Sequence, residues 1–233
     1  MNGLEAITFA DRGTALTGWL ARPEGAPRAA VLVFPTIANV TPAIERRAGM
    51  LVDQGYLALI GDFYGEPVPD FAAAQPLAAA LRGDVDHYRA RLQANLNALR
   101  DLPAAAGLPL AAIGFCMGGQ AVLELARAGE ELTAVVSFHG LLDTGRAAQA
   151  TVHPRILVCH GDQDPMVPRQ QVVAFWEEMD AAGANWHFHA YSGVKHGFTD
   201  PASDSRGLAA VGYDASADRQ SWAAMLSLFD ELF

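Results

Sequence analysis

Several things are scarce in this 233-residue chain. It has two cysteines, Cys116 and Cys159. That is too few for a disulfide framework, so no covalent staple is expected. No apolar run approaches the ~18–20 residues needed to cross a bilayer. The opening Met1-Asn2-Gly3-Leu4-Glu5 has no basic stretch leading into an apolar one. The expectation is therefore no secretion signal and a cytoplasmic location, where thiols stay reduced. Positive charge is also short: 16 Lys and Arg face 26 Asp and Glu, a formal net charge of −10. Such a surface repels nucleic acid and anionic membranes, so neither is an expected partner. Internal repeats, charge blocks and low-complexity linkers are missing, and one domain over residues 1–233 is the simplest expectation.

What is present is a globular composition, 51% apolar and 18% charged, long enough to bury a core without metal or disulfide. Ile7 to Phe9 and Leu16 to Leu20 flank a turn at Asp11-Arg12-Gly13 and read as a hairpin. Continuous apolar runs of strand length come next at Ala30–Phe34 and Tyr56–Ile60, as for strands buried on both faces. Helical spacing covers 42–54, with Gly55 as a left-handed stop. Beyond that, 84–102 is helical, Leu110–Ile113 strand, 118–129 helical, and Thr133–Phe138 and Arg155–Cys159 strands. Pro168–Ala182 is a helix with proline at its first position. Trp186–Tyr191 is a strand, and 216–232 a closing helix. Alternating strands and helices imply a mostly parallel sheet with helices on both faces. In such sheets the site lies beyond the carboxyl ends of the strands.

Three strand ends carry chemistry. After the 110–113 strand comes Gly114-Phe115-Cys116-Met117-Gly118-Gly119 and then an apolar helix. This is the nucleophile-elbow pattern in its strand–turn–helix setting. The turn is tight enough that the flanking positions must be tiny, and the helix N-terminus favours a thiolate. A glycine-rich turn beside a buried structural cysteine is the plainer alternative. After the 155–159 strand comes His160-Gly161-Asp162-Gln163-Asp164-Pro165. Its two aspartates suit a triad acid or, more plainly, turn and capping duty. After the 186–191 strand, His196 lies in Ser192-Gly193-Val194-Lys195-His196-Gly197-Phe198. The other histidines lack that setting, and His187 and His189 fall within a strand. Nucleophile, acid and base in this order, each after a different strand, is the chain order of the α/β-hydrolase fold.

On these segments the chain resembles the dienelactone hydrolase family, whose founding activity is carboxymethylenebutenolidase. Gly114 to Gly119 resembles the family's elbow and Gly61-Asp62-Phe63-Tyr64-Gly65 its D-L-Y segment. Gly161 to Pro168 resembles its acid loop, and Tyr191 to Phe198 its Y-x-G-x-x-H-G-F segment. The resemblance implies Cys116 as nucleophile, Asp164 rather than Asp162 as acid, and His196 as base. It also implies an oxyanion hole from the Ile37 and Met117 amides. No cofactor or metal is implied; the expected partner is a small ester or lactone, and the protein a monomer or small homo-oligomer.

The chain departs from the founding enzymes at three places. Thr36 stands where they carry the glutamate that controls thiol ionisation. Asp162, Glu45 or direct pairing with His196 would have to serve instead. Glu66 and Asp200 stand where they carry two substrate-binding arginines. That inversion predicts a neutral or cationic ester or lactone. Thr36, Tyr64, Glu66, Phe198 and Asp200 are the expected substrate contacts, and residues 67–83 form either a small lid or a surface helix. Gly212 to Trp222 is expected to anchor the last helix. Competing readings are a non-catalytic hydrolase-fold binding module and a hydrolase of activated phosphoesters. A nucleotide-binding protein is disfavoured, because Gly-Phe-Cys-Met-Gly-Gly supplies neither G-x-G-x-x-G nor a phosphate-binding lysine.

Overall fold

A computed structural model describes residues 3–233. The described residues form two compact units, one ending at Ala112 and the other running from Ile113 to Phe233.

In the first unit, β1 (Glu5–Asp11) and β2 (Thr14–Ala21) form an antiparallel hairpin. Gly13, at φ 84°, supplies the left-handed turn that closes it. β2 then pairs antiparallel with β4 (Leu57–Ile60), and β4 pairs parallel with β3 (Ala30–Phe34). Every residue of β3 and β4 is buried, which explains why both read as unbroken apolar runs. Helix α1 (Pro42–Asp53) starts on Pro42 and stops at Gly55, whose φ is 82°. Residues 67–83, left open between lid and helix, contain α2 (Phe71–Arg82). The Asp70 carboxylate caps it by accepting the Ala73 N–H, and it buries Ala74, Ala78 and Leu81. α3 (Val85–Arg100) is capped likewise by Asp84, which accepts from Asp86 and His87. A 3-10 turn at Pro103–Ala105 leads into β5 (Leu110–Phe115), which runs across the boundary between the units.

The second unit continues with α4 (Met117–Arg127), β6 (Ala134–Phe138), β7 (Arg155–Gly161), α5 (Arg169–Ala181), β8 (Trp186–Tyr191) and α6 (Ala215–Leu232). β6, β7 and β8 are parallel neighbours. β6 is wholly buried, while β8 alternates between half-buried and exposed positions along most of its length. Pro168 is the N-cap of α5 rather than its first residue, a shift of one from the sequence expectation. A six-residue 3-10 turn at Pro201–Arg206, unforeseen from the sequence, comes after the His196 loop.

One buried ion cluster ties this unit together. Arg127 on α4 donates to Glu178 on α5 through Nε and Nη2, at 2.9 and 2.8 Å. It also donates to Glu124 at 3.1 Å and to the Leu142 carbonyl at 2.8 Å. Its side chain is 0% exposed, so these partners replace the water it has lost. The mostly parallel sheet and its interleaved helices are those of the α/β-hydrolase fold.

Candidate active site

Cys116 sits at the junction of β5 and α4, as the helix N-cap, with φ 57° and ψ −117°. That left-handed backbone is costly for a residue with a side chain, and strain of this kind gathers at functional sites. The neighbouring glycines explain how the turn is made. A Cβ on Gly114 would stand 1.9 Å from the Gly118 carbonyl oxygen. A Cβ on Gly119 would stand 2.7 Å from the Gly140 Cα, so glycine there lets α4 approach the end of β6. The N-terminal end of α4 lends its partial positive charge to the sulfur. The Cys116 N–H is shared between the Phe138 carbonyl at 3.0 Å and His139 Nδ1 at 3.1 Å.

Asp164 and His196 meet in the same unit. His196 Nδ1 lies 2.6 Å from Asp164 Oδ2. A carboxylate only accepts, so Nδ1 carries the proton and donates it. The other oxygen, Oδ1, accepts the Met166 N–H at 2.9 Å. The Asp164 side chain is 0% exposed and that of His196 6%. Asp162 is committed elsewhere: its two oxygens accept from Arg169 at 3.0 and 2.6 Å. The two loops are stitched together by backbone bonds, Asp162 N–H to Tyr191 and Gln163 N–H to Val194. The His196 backbone is pinned from the other side, donating to Ala210 and accepting from Gly212. The segment after the His196 loop thus fixes that loop as well as leading into α6.

Burial works against a charged His196. The negative charge at Cys116, hydrogen bonds with Asp164 and Cys116, and the Asp164 charge outweigh it and raise its pKa to about 10.

Nearby titratable groups are quieter. Burial pushes His160 down, against the pull of Asp164 and Asp162, so it stays neutral. Cys159 is fully buried, and its thiol is pushed up to about 12 by that burial despite a hydrogen bond with Tyr191. It is unsuited to resolving a redox step at Cys116, and neither cysteine is bridged.

Other expected site residues have definite places. In the first unit, Thr36 and Ile37 are half-buried in the turn after β3, where the Thr36 carbonyl accepts the Asn39 N–H at 3.0 Å. Thr36 Oγ1 accepts the Ala38 N–H at 3.3 Å. Tyr64 is buried and donates its hydroxyl to the Ile37 carbonyl at 3.0 Å, which holds that turn. Asp62 braces the same region, accepting from Asn39, Thr17, Tyr64 and Gly65 at 2.8–3.0 Å. Glu66 is exposed. In the second unit, Met117 opens α4, where helical N–H groups point away from the helix's own carbonyls. Phe198 is fully buried, packed edge-on against His139 with ring centres 5.2 Å apart. Asp200 accepts from Ala202 and pairs with Arg206, so a cation stands against this carboxylate.

Sequence reasoning passed over His139 and Thr199. His139 comes directly after β6 as Cys116 comes after β5, at φ 41°, and is 2% exposed. Its Nε2 lies 2.9 Å from Thr199 Oγ1. Inspecting the residue after every strand end, β6 included, would have found it.

The fold and the meeting of Asp164 with His196 are those of a hydrolase. Residues 16–233 match the model of the dienelactone hydrolase family, and the chain belongs to that family, a group of ester and lactone hydrolases. It is 38% identical to a dienelactone hydrolase-like promiscuous phosphotriesterase from metagenomic libraries, with a TM-score of 0.94 over 99% of this chain and 98% of that one. An uncharacterized protein of Caenorhabditis elegans is 40% identical over 61% of this chain and 92% of its own length. A carboxymethylenebutenolidase homolog of Mus musculus is 23% identical over 76% of this chain and 72% of its own.

Proposed function

We propose that the protein hydrolyses activated carboxylic esters or lactones through a Cys116 acyl-enzyme. The observation that carries this reading is the buried 2.6 Å contact of His196 with Asp164, in an environment where negative charge at Cys116 helps hold His196 protonated. With Thr36 in the family glutamate's place and Asp162 taken by Arg169, pairing with His196 is the device that ionises the thiol in this reading.

The Cys116 thiolate attacks the carbonyl carbon, and the C=O electron pair moves onto oxygen. The Met117 amide, at the opening of α4, stabilises that oxyanion; losing such a donor typically costs about 3–4 kcal/mol. The C–O bond to the alcohol breaks, and His196 Nε2–H protonates the departing oxygen. Neutral His196 then takes a proton from water as its oxygen attacks the thioester. Collapse expels the thiolate, releases the acid and restores the ion pair. Asp164 holds the Nδ1–H tautomer throughout. Thiolate is itself a good leaving group, so the tetrahedral intermediate partitions forward only when the alcohol leaves easily. Enol and aryl esters are therefore the substrates and simple alkyl esters are not. Comparable rates for the ethyl and phenyl esters of one acid would sink this point. Asp200, paired with Arg206, stands where the family carries a substrate-binding arginine, which favours a neutral or cationic substrate over an anionic one.

A second reading, hydrolysis of activated phosphotriesters, is favoured by the 38% identical relative described as a promiscuous phosphotriesterase. The same thiolate and oxyanion donors suit attack at phosphorus.

Both readings are tested by hydrolysis of a p-nitrophenyl ester and a p-nitrophenyl phosphotriester by the wild type and Cys116→Ala, with folding matched by circular dichroism. Turnover lost in the variant supports the nucleophile; equal activity in both removes it. A folded, inert wild type would favour the binding-module alternative.

A further inference from the structure

The ring of His139 touches both halves of the proposed chemistry. Its Nδ1 accepts the Cys116 N–H at 3.1 Å, so the ring proton sits on Nε2 and is donated to Thr199 Oγ1 at 2.9 Å. Thr199 lies three residues past His196 in the same loop. The ring also stands edge-on to the His196 ring, centres 5.1 Å apart, and is backed by Phe198 and Phe115. One neutral imidazole is thus bonded to the nucleophile's backbone, bonded to the base's loop, and wedged against the base itself.

The backbone at His139 supports the same role. Its φ of 41° is unusual for a residue with a side chain, and it is succeeded by Gly140, where a Cβ would strike Gly119 at 2.5 Å. The chain bends sharply to bring this ring under the elbow. Cys116 N–H already has the Phe138 carbonyl at 3.0 Å, so the His139 bond is not needed to satisfy that donor. What it adds is a fixed tilt of the strained Cys116 peptide relative to the His196 loop.

We propose that His139 is a positioning residue that sets the separation between the Cys116 sulfur and His196 Nε2. The proposal rests on the reading of Cys116 and His196 as nucleophile and base. An error of about 1 Å in such a separation is worth about 10²-fold in rate.

The test compares His139→Phe, which keeps a ring but loses both hydrogen bonds, with His139→Asn. Asparagine tolerates positive φ and can offer Oδ1 to the Cys116 N–H. Three quantities are measured: kcat and KM for a p-nitrophenyl ester, the rate at which iodoacetamide alkylates Cys116 at neutral pH, read by peptide mass, and thermal stability. Expected is a fall of about 10²-fold in kcat for His139→Phe with KM unchanged, slower Cys116 alkylation, and recovery of most of both in His139→Asn. Wild-type kcat and alkylation in His139→Phe overturn the proposal. So does an equal loss in the two variants that tracks lost stability, the signature of a merely structural residue. If His139→Phe does not fold, His139→Gln replaces it; its amide reaches toward Thr199 but not the Cys116 N–H, and Asn outperforming Gln is the supporting result and the reverse the overturning one. A wild type without Cys116-dependent hydrolysis would end the ester reading. The alkylation rates would still decide whether His139 governs Cys116.

Discussion

Gly161, at the end of β7, packs so close to Val194 in the His196 loop that a Cβ on it would stand 2.5 Å from the Val194 carbonyl oxygen and 2.7 Å from that of Lys195. Backbone against backbone cannot yield as a flexible side chain can. The contact holds the loop bearing Asp164 against the loop bearing His196.

Gly161→Ala should therefore lower stability by about 1–3 kcal/mol, as overpacking does. It should also cut kcat by spreading Asp164 from His196. Thermal denaturation and ester kinetics on the one variant check both; full activity with lowered stability would detach this contact from the chemistry.

Asp164→Asn keeps the shape of the site but removes the charge and reverses the tautomer preference of His196. In a Ser-His-Asp enzyme the matching change lowers kcat about 10⁴-fold. A comparable loss is expected here, with near-wild-type folding. Asp162→Asn, which breaks only the exposed pairing with Arg169, should leave kcat close to wild type.

His196 titrates at about 10 in the folded protein, against an ordinary value of 6.5. A raised pKa means the folded state holds the proton more tightly than the unfolded chain. The stability this contributes is complete below pH 6.5 and disappears as pH rises through about 10. The pH-dependent part of the difference in melting temperature between wild type and His196→Gln should track that window. Alkaline loss of kcat/KM should fall in the same range, since neutral His196 has no proton for the leaving alcohol. A flat difference across pH 6.5 to 10 would refute the ion pair.

Arg127→Ala leaves Glu124 and Glu178 facing each other without their shared cation, the first with a side chain only 2% exposed. Breaking a buried pair in this way costs about 3–5 kcal/mol. Arg127 also holds the Leu142 carbonyl, three residues beyond His139, so hydrogen exchange should quicken around 139–143 in a variant that still folds.

Much of this was legible in the sequence because strand burial and helix periodicity are local signals. β3 and β4 are buried on both faces and read as apolar runs; Cys116, the Asp164 loop and His196 each come after such a segment or its neighbour in order. Residues 67–83 stayed ambiguous because Pro76, a residue that disfavours a helix interior, lies inside what is helix α2. Asp200 could be read as a charge offered to substrate or as a solvated loop residue. Its role as a cap and as the partner of Arg206 depends on a 3-10 turn too short to show periodicity. His139, Thr199 and Arg127 act through contacts between elements far apart in the chain, and no spacing encodes those. The choice of Asp164 over Asp162 came from family resemblance; in the structure Asp164 bonds His196 and Asp162 bonds Arg169.

The most direct test is to quench the protein during turnover of p-nitrophenyl acetate and weigh its peptides. The account predicts an acetyl group on the peptide containing Cys116, which disappears on chase with water and is missing in Cys116→Ala. Steady turnover with no acetyl group at Cys116, or with the label on another residue, would contradict it.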